Sequence, residues 1–318
     1  MVRRSLLISH AITGVAGLFI GQMSMAATCI DILSTSSAYD KANTLPSVQK
    51  FTAQDPRKNK AVNIIDTRDG WKTVHVFYGS TDIIPTLAGA GYQKRTWMSQ
   101  VGQDQIVFNM LGQKKGGYFI DLAANDPINL SNSYSLETHH GWNGLCIDGN
   151  PYLLDGLSFR KCHVVGAVVS KNRLEKISYA TRMKDRSAEI GGIVGAGMDN
   201  RQSRKNDVIL TKYTVPLLEI FEKFNVPKEV DCFSLDVEGA ETLILSSFPL
   251  DSCSFKILPV EQKKADAKEI LESHGCVYLK KIAFFRETLW AKKSATPELD
   301  LTVTGLAQEL ALSQRLRH

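Results

Sequence analysis

The stretch "SLDVEGAE", residues 234–241, holds the densest set of reactive side chains in the sequence. Asp236 and Glu238 are separated by one residue, Gly239 follows, and Glu241 comes two residues later. Alternate residues of an extended strand face the same side, so this spacing predicts that the two carboxylates point together. Carboxylates so placed raise one another's proton affinity unless a cation or a donor lies between them. Such a pair suits either the holding of a divalent metal such as Mg²⁺ or the removal of a proton from a hydroxyl. Further acids lie near or at the ends of other apolar runs: Asp121 near the end of "YFIDL", Asp148 ending "GLCID" and Glu261 ending "FKILPVE". A single acid in such a place is usually a helix cap or a solvated residue, whereas five on one edge suggest a common purpose. His139 and His140 close "SLETHH", where a protonated imidazole complements a helix end, and His139 is also a candidate base.

The elements that must position these acids are short and apolar. "YFIDL" (118–122), "GLCID" (144–148), "HVVGAVV" (163–169), "CFSLDV" (232–237) and "FKILPVE" (255–261) alternate with stretches whose apolar residues recur every three or four positions. This pattern predicts an α/β fold, a doubly wound and mostly parallel sheet with helices on both faces. "CVYLKKIAFF" and "ETLWAK", joined by a short turn, predict an antiparallel hairpin at the end. In such a sheet ligands collect beyond the carboxyl ends of the strands, and an acid ending the second strand accepts hydrogen bonds from ribose hydroxyls, the role expected of Asp148. The first strand runs into "AAND", a small-residue turn laid out like a nucleotide cradle, with Ala123 where a glycine would be usual. A methyl is tolerable there if φ stays negative, which is the conformation expected of Ala123. Pro127 removes one N–H from the same loop.

The 318 residues are 43% hydrophobic and 22% charged, enough to bury a full core. A net charge of +5, dispersed along the chain, argues against nucleic acid, which needs clustered cations. The six cysteines include no spacing that suits structural zinc. Cys146 and Cys232 read as buried thiols, and Cys253 with Cys276 as a candidate disulfide in an oxidising compartment. Residues 1–27 pair Arg3 and Arg4 with an apolar stretch and read as a targeting segment or signal anchor, which would hold the chain to a membrane through residues 5–27 if uncleaved. That implies a single-pass protein of the endoplasmic reticulum or Golgi, with secretion or an organelle as alternatives. Residues 28–96 read as a stem or cap, 97–293 as the main domain with a polar, Gly-containing insertion at 170–212, and 294–318 as a tail whose leucines suggest an amphipathic helix. Asn129-Leu130-Ser131 is a glycosylation sequon inside the small-residue loop, where an unmodified Asn129 is expected.

Seven segments in order, among them "SQVGQD", "GGYFIDLAAND", "LSNSYSLE", "GWNGLCIDGNP" and "FSLDVEGAETLILSSFP", resemble the FkbM-type S-adenosylmethionine-dependent methyltransferases of the class I fold. The resemblance covers residues 97–291. It implies a seven-stranded sheet with a reversed last strand, S-adenosylmethionine as cofactor, and O-methyl transfer to a hydroxyl of a sugar, polyketide or other small acceptor. It also implies that Asp121, Ala123, Ala124 and Asn125 form the cofactor loop, that Asn132 and Glu137 line or brace it, and that Asp148 holds the ribose. Asp236, Glu238, Glu241 and Glu261 then face the transfer site. Two other readings stay open: a membrane-anchored glycosyltransferase holding metal and nucleotide sugar on Asp236 and Glu238, and a non-catalytic binding module on the same fold.

Overall fold

The computed structural model describes three strand segments, residues 48–52, 61–67 and 72–78, and residues 96–305 except 158–159, 182–190, 201–206, 262–264 and 285–286. The three early segments are β1 (Val48–Thr52), β2 (Ala61–Thr67) and β3 (Lys72–Tyr78). The apolar runs follow as β4 (Tyr118–Leu122), β5 (Asn143–Asp148) and β6 (His163–Gly166), then β7 (Val168–Val169), β8 (Lys176–Thr181), β9 (Gly192–Ile193) and β10 (Val208–Val215). Last come β11 (Glu229–Leu235), β12 (Ser254–Glu261), β13 (Cys276–Lys281) and β14 (Glu287–Lys292). The helices are α1 (Gln103–Met110), α2 (Tyr134–His140), α3 (Pro151–Leu157), α4 (Leu217–Lys223), α5 (Glu241–Leu245) and α6 (Ala265–Ser273).

The main sheet has the order β1-β2-β3-β6-β5-β4-β11-β12-β14-β13. From β6 to β12 neighbouring strands are parallel, while β14 runs against both β12 and β13. These seven strands are the mostly parallel sheet that the apolar runs predict, with the strand number and reversed last strand that the family resemblance implies. Part of the region read as a stem adds to it, because β3 pairs antiparallel with β6 and brings β2 and β1 along. A register shift between Tyr278 and Lys280 bulges the outer strand β13.

Side chains leave the two faces of this sheet alternately and build two apolar layers. On one face Ile120, Leu122, Phe233 and Leu235 meet Phe221 of α4 and Ile244 of α5. Within this layer the rings of Phe233 and Phe255 lie 4.8 Å apart and those of Phe221 and Phe248 5.0 Å apart. On the other face Phe119, Cys146 and Val164 meet Ile106 and Met110 of α1, Leu136 of α2 and Leu157 of α3.

The segment 170–212 is not a plain loop. With β7 it forms a second sheet of order β7-β10-β8-β9, so the run "HVVGAVV" splits between two sheets at Ala167. Cys276 is a buried free thiol, so the expected bridge from Cys253 to Cys276 does not form. Its Sγ belongs to an apolar layer that packs it like any small hydrophobe. The tail shows two short 3₁₀ turns, Thr296–Glu298 and Leu301–Gly305. The amphipathic helix expected beyond them and the targeting segment 1–27 lie outside the described residues. Among the described residues no helix is long and apolar enough to cross a membrane.

Candidate active site

Because β4, β5, β11 and β12 are parallel, their carboxyl ends share one rim, and the chain reverses its winding between β4 and β11. Asp148 ends β5, Asp236 follows β11 and Glu261 ends β12. This is the crevice at which a doubly wound sheet takes its ligand.

The loop after β4 is shaped by backbone strain. Ala123 has φ +64° and Asn125 φ +59°, both in the left-handed region. The expectation of negative φ at Ala123 is therefore corrected: the turn keeps the backbone a glycine would take and carries the cost of the methyl, about 1–2 kcal/mol. Two hydrogen bonds hold the strained turn, from the Ala123 and Ala124 N–H groups to the Ile147 carbonyl at 2.8 and 3.1 Å. A third runs from the Asn125 N–H to Asp148 Oδ2 at 2.8 Å. The other carboxylate oxygen of Asp148 accepts the Asn150 N–H at 2.7 Å. Each oxygen keeps a lone pair for a ribose hydroxyl. Burial pushes the Asp148 carboxyl up to about 6, against the pull of those two N–H groups and of Lys212.

Asp121 serves this loop from beneath instead of lining it. It is buried in β4 and accepts the Ser133 hydroxyl at 2.5 Å. Burial also pushes its carboxyl up to about 6, with Ser133 and Arg160 opposing. Glu137 braces from α2, gripping the buried Arg160 through two contacts at 3.1 and 3.2 Å and accepting the Lys161 and Cys162 N–H groups. Arg160 in turn donates to the Pro127 carbonyl and to Ser131 Oγ, tying the loop to its support. Burial would raise the Glu137 carboxyl, yet Arg160 outweighs it and the net shift is downward. Asn132 differs from these braces: its amide nitrogen donates to Ser234 Oγ at 2.9 Å, while its buried Oδ1 has no partner among the described residues.

At the other end of the crevice, strand alternation does not bring Asp236 and Glu238 together, because β11 stops at Leu235. A turn does so, with Glu238 at φ +53° and Gly239 at φ +95°. Glu241 stabilises that turn by accepting the Val237 and Gly239 N–H groups, at 3.2 and 3.1 Å, and so acts as its brace. Burial pushes the Glu241 carboxyl up to about 7. The half-buried Asp236 carboxyl is held well above the usual range, first by desolvation and then by Glu261, with which it shares a hydrogen bond. Glu287, opposite Glu261 in the register of β14, adds to the same field.

His139 does not belong to this group. Helix α2 carries it away from the crevice to the rim where β4 begins, as the hydrogen bond from the Gly116 N–H to the His140 carbonyl shows. His140 stacks there on Phe108, and burial lowers its proton affinity, which works against the charged helix-end role expected of it.

The insertion supplies residues that the sequence reading missed. The Asp199 N–H donates to the Glu238 carbonyl at 3.0 Å, and a Cβ on Gly239 would come within 2.8 Å of that nitrogen. Carboxylate oxygens of Asp199, Glu238 and Glu261 lie within 4.8 Å of one another. Tyr179 of β8 packs its ring on Gly149, where a Cβ would meet it at 3.0 Å. Burial raises the Tyr179 phenol, and both Asp148 and Glu238 add to the effect. The second sheet thus spans the two ends of the crevice. The only signal in the sequence was the glycine-rich run "EIGGIVGAGMDN", which marks close backbone approach without naming a partner.

A family model described as the methyltransferase FkbM domain matches residues 121–282, just over half of the chain. The chain belongs to the FkbM methyltransferase family. No curated protein matches it significantly. The matched FkbM domain begins at Asp121, ends at Ile282, and contains the loop, Asp148, the second sheet and the acidic turn. The cofactor the family implies fits the residues present: the Oδ1 atoms of Asn125, next to Asp148, and of Asn132, next to Ser234, are buried with no partner among the described residues and can accept from the ribose and amino groups of such a molecule.

Proposed function

We propose that this methyltransferase transfers a methyl group from S-adenosylmethionine to a hydroxyl oxygen of a small acceptor such as a sugar. The carrying observation is the division of one rim into a ribose-holding end, Asp148 with the strained loop, and an acidic end, Asp236 with Glu238 and Glu261. The cofactor supplies an electrophilic methyl on a sulfonium. The loop and Asp148 fix the adenosine, so that the distance to the acidic end sets where an acceptor oxygen meets that methyl. A hydroxyl is a weak nucleophile at neutral pH, and its proton must go to a base as the C–O bond forms and the C–S electron pair returns to sulfur. Asp236 is a poor choice, because desolvation and the neighbouring Glu261 both push its carboxyl toward the protonated form. Glu238, half-buried at the mouth of the crevice, is the base this arrangement favours. The second sheet covers the site and excludes the water that would compete with the acceptor.

Two measurements test this reading. S-adenosylhomocysteine should raise the thermal midpoint of the full chain, since a ligand that prefers the folded state stabilises it. Glu238→Gln should slow methyl transfer by about 10²- to 10⁴-fold while changing S-adenosylhomocysteine affinity less than about twofold. Unaltered turnover in that variant removes Glu238 from the mechanism.

A further inference from the structure

The acidic end of the crevice contains a constellation that general-base chemistry does not explain. Asp199 comes from the loop after β9, Glu238 from the turn after β11 and Glu261 from the end of β12, so three separate elements deliver one oxygen each to a common point. Three carboxylates repel one another, and a fold that gathers them is best compensated by a positive charge among them. We infer that Asp199, Glu238 and Glu261 form a binding site for one hard divalent cation.

Three observations support it. The first is distance: the ligand oxygens lie within 4.8 Å of one another, and oxygens around an ion bound at 2.3–2.6 Å are separated by about 3.3 to 5 Å. Calcium therefore fits as the site stands, and Mg²⁺ or Mn²⁺ after a contraction of a few tenths of an ångström. The second is Asn200, only 4% exposed, whose amide nitrogen finds no hydrogen-bond partner among the described residues. That nitrogen lies beside Glu238: a Cβ on Gly192 would be 2.6 Å from it and 3.3 Å from Glu238 Cβ. A half-turn of the amide, which leaves its shape unchanged, puts Oδ1 there as a fourth, neutral oxygen ligand. The third is ligand type, since an all-oxygen set without Cys or His selects Mg²⁺, Ca²⁺ or Mn²⁺ over zinc or copper.

This inference deepens the methyl-transfer reading and rests on it for its purpose. An ion here stands beside the expected acceptor and lowers the proton affinity of an oxygen it touches. Ligation through one oxygen per carboxylate leaves Glu238 a second oxygen to take the proton.

The test is a calorimetric titration of the full chain with Mn²⁺, repeated with S-adenosylhomocysteine. Wild-type protein should bind one Mn²⁺ per chain, Asp199→Asn and Glu261→Gln should each weaken it at least about tenfold, and Asp199→Asn should bind S-adenosylhomocysteine as wild type does, which also shows that it is folded. Absence of Mn²⁺ binding to wild type at millimolar concentration overturns the site, as does wild-type Mn²⁺ affinity in both variants. Binding of Mn²⁺ at these residues without any binding of S-adenosylhomocysteine keeps the ion site and overturns the methyl-transfer reading. The opposite result overturns the ion site alone.

Discussion

Asp148 connects the proton to the cofactor. Its carboxyl stands at about 6 against an ordinary 3.8, so it is increasingly protonated in the folded protein below about pH 6. A protonated carboxyl loses acceptor strength toward ribose, and apparent affinity scales with the ionised fraction. S-adenosylhomocysteine should therefore bind about tenfold more weakly for each pH unit below about 6, which calorimetry across pH 5 to 8 will show. Stability of the ligand-free protein runs the other way. Asp121 and Asp148 are both raised, so the stability they contribute is complete below about pH 4 and is lost as pH climbs through about 6. Ala123 makes a second prediction at this scale. Ala123→Gly removes a left-handed methyl worth about 1–2 kcal/mol and adds up to about 1 kcal/mol of unfolded-chain entropy. A gain of zero to about 1 kcal/mol in denaturant titration is expected, and a clear loss means that the alanine methyl packs usefully. The residue types at this loop were legible in the sequence, but its dihedral angles were not, since the Ile147 carbonyl that holds the turn belongs to the neighbouring strand.

At the scale of elements, the contact between α2 and the entry to β6 decides how rigidly the cofactor loop is held. Arg160 and Glu137 are both buried and face each other with paired contacts. Removing one partner strands a charge in the interior at a cost of about 3–5 kcal/mol, whereas an apolar pair of similar size costs far less. Arg160→Met should thus lower stability by about that amount in urea unfolding, and adding Glu137→Leu should restore much of it. Recovery that does not appear marks the pair as needed for the loop and not only for its own neutrality. Strands β4, β5 and β12 were readable because both faces are apolar and their runs are short. Arg160 was not readable, because a buried arginine and a surface arginine look alike until Glu137 is found 23 residues away. The pairing of Asp236 with Glu238 was anticipated for the wrong reason, strand alternation, whereas a left-handed turn braced by Glu241 achieves it.

At the scale of the molecule, two sheets divide the work: the larger fixes the strand ends and the smaller lies across them from Tyr179 to Asp199. Ligand contact with both ends should couple them. Amides of β8 and β10 should exchange with deuterium more slowly when S-adenosylhomocysteine is bound, while β13, the far edge strand of the main sheet, should be unchanged. Equal protection everywhere means that the small sheet does not sense the ligand. The apolar runs foretold the main sheet and the family resemblance its reversed strand, but the smaller sheet stayed hidden, since β8 and β10 are largely half-exposed and pair across a long polar stretch of sequence.

The irregular outer strand β13 has its own consequence. An open strand edge invites other chains to dock and stack, and twisting that edge while lining it with cations discourages them. The displaced register at Tyr278 and Lys280, followed at once by Lys281, leaves incoming chains neither a straight ladder nor a neutral one. Crowded solutions of this protein should thus resist fibre growth from that side, and replacing both lysines with valine should remove the guard.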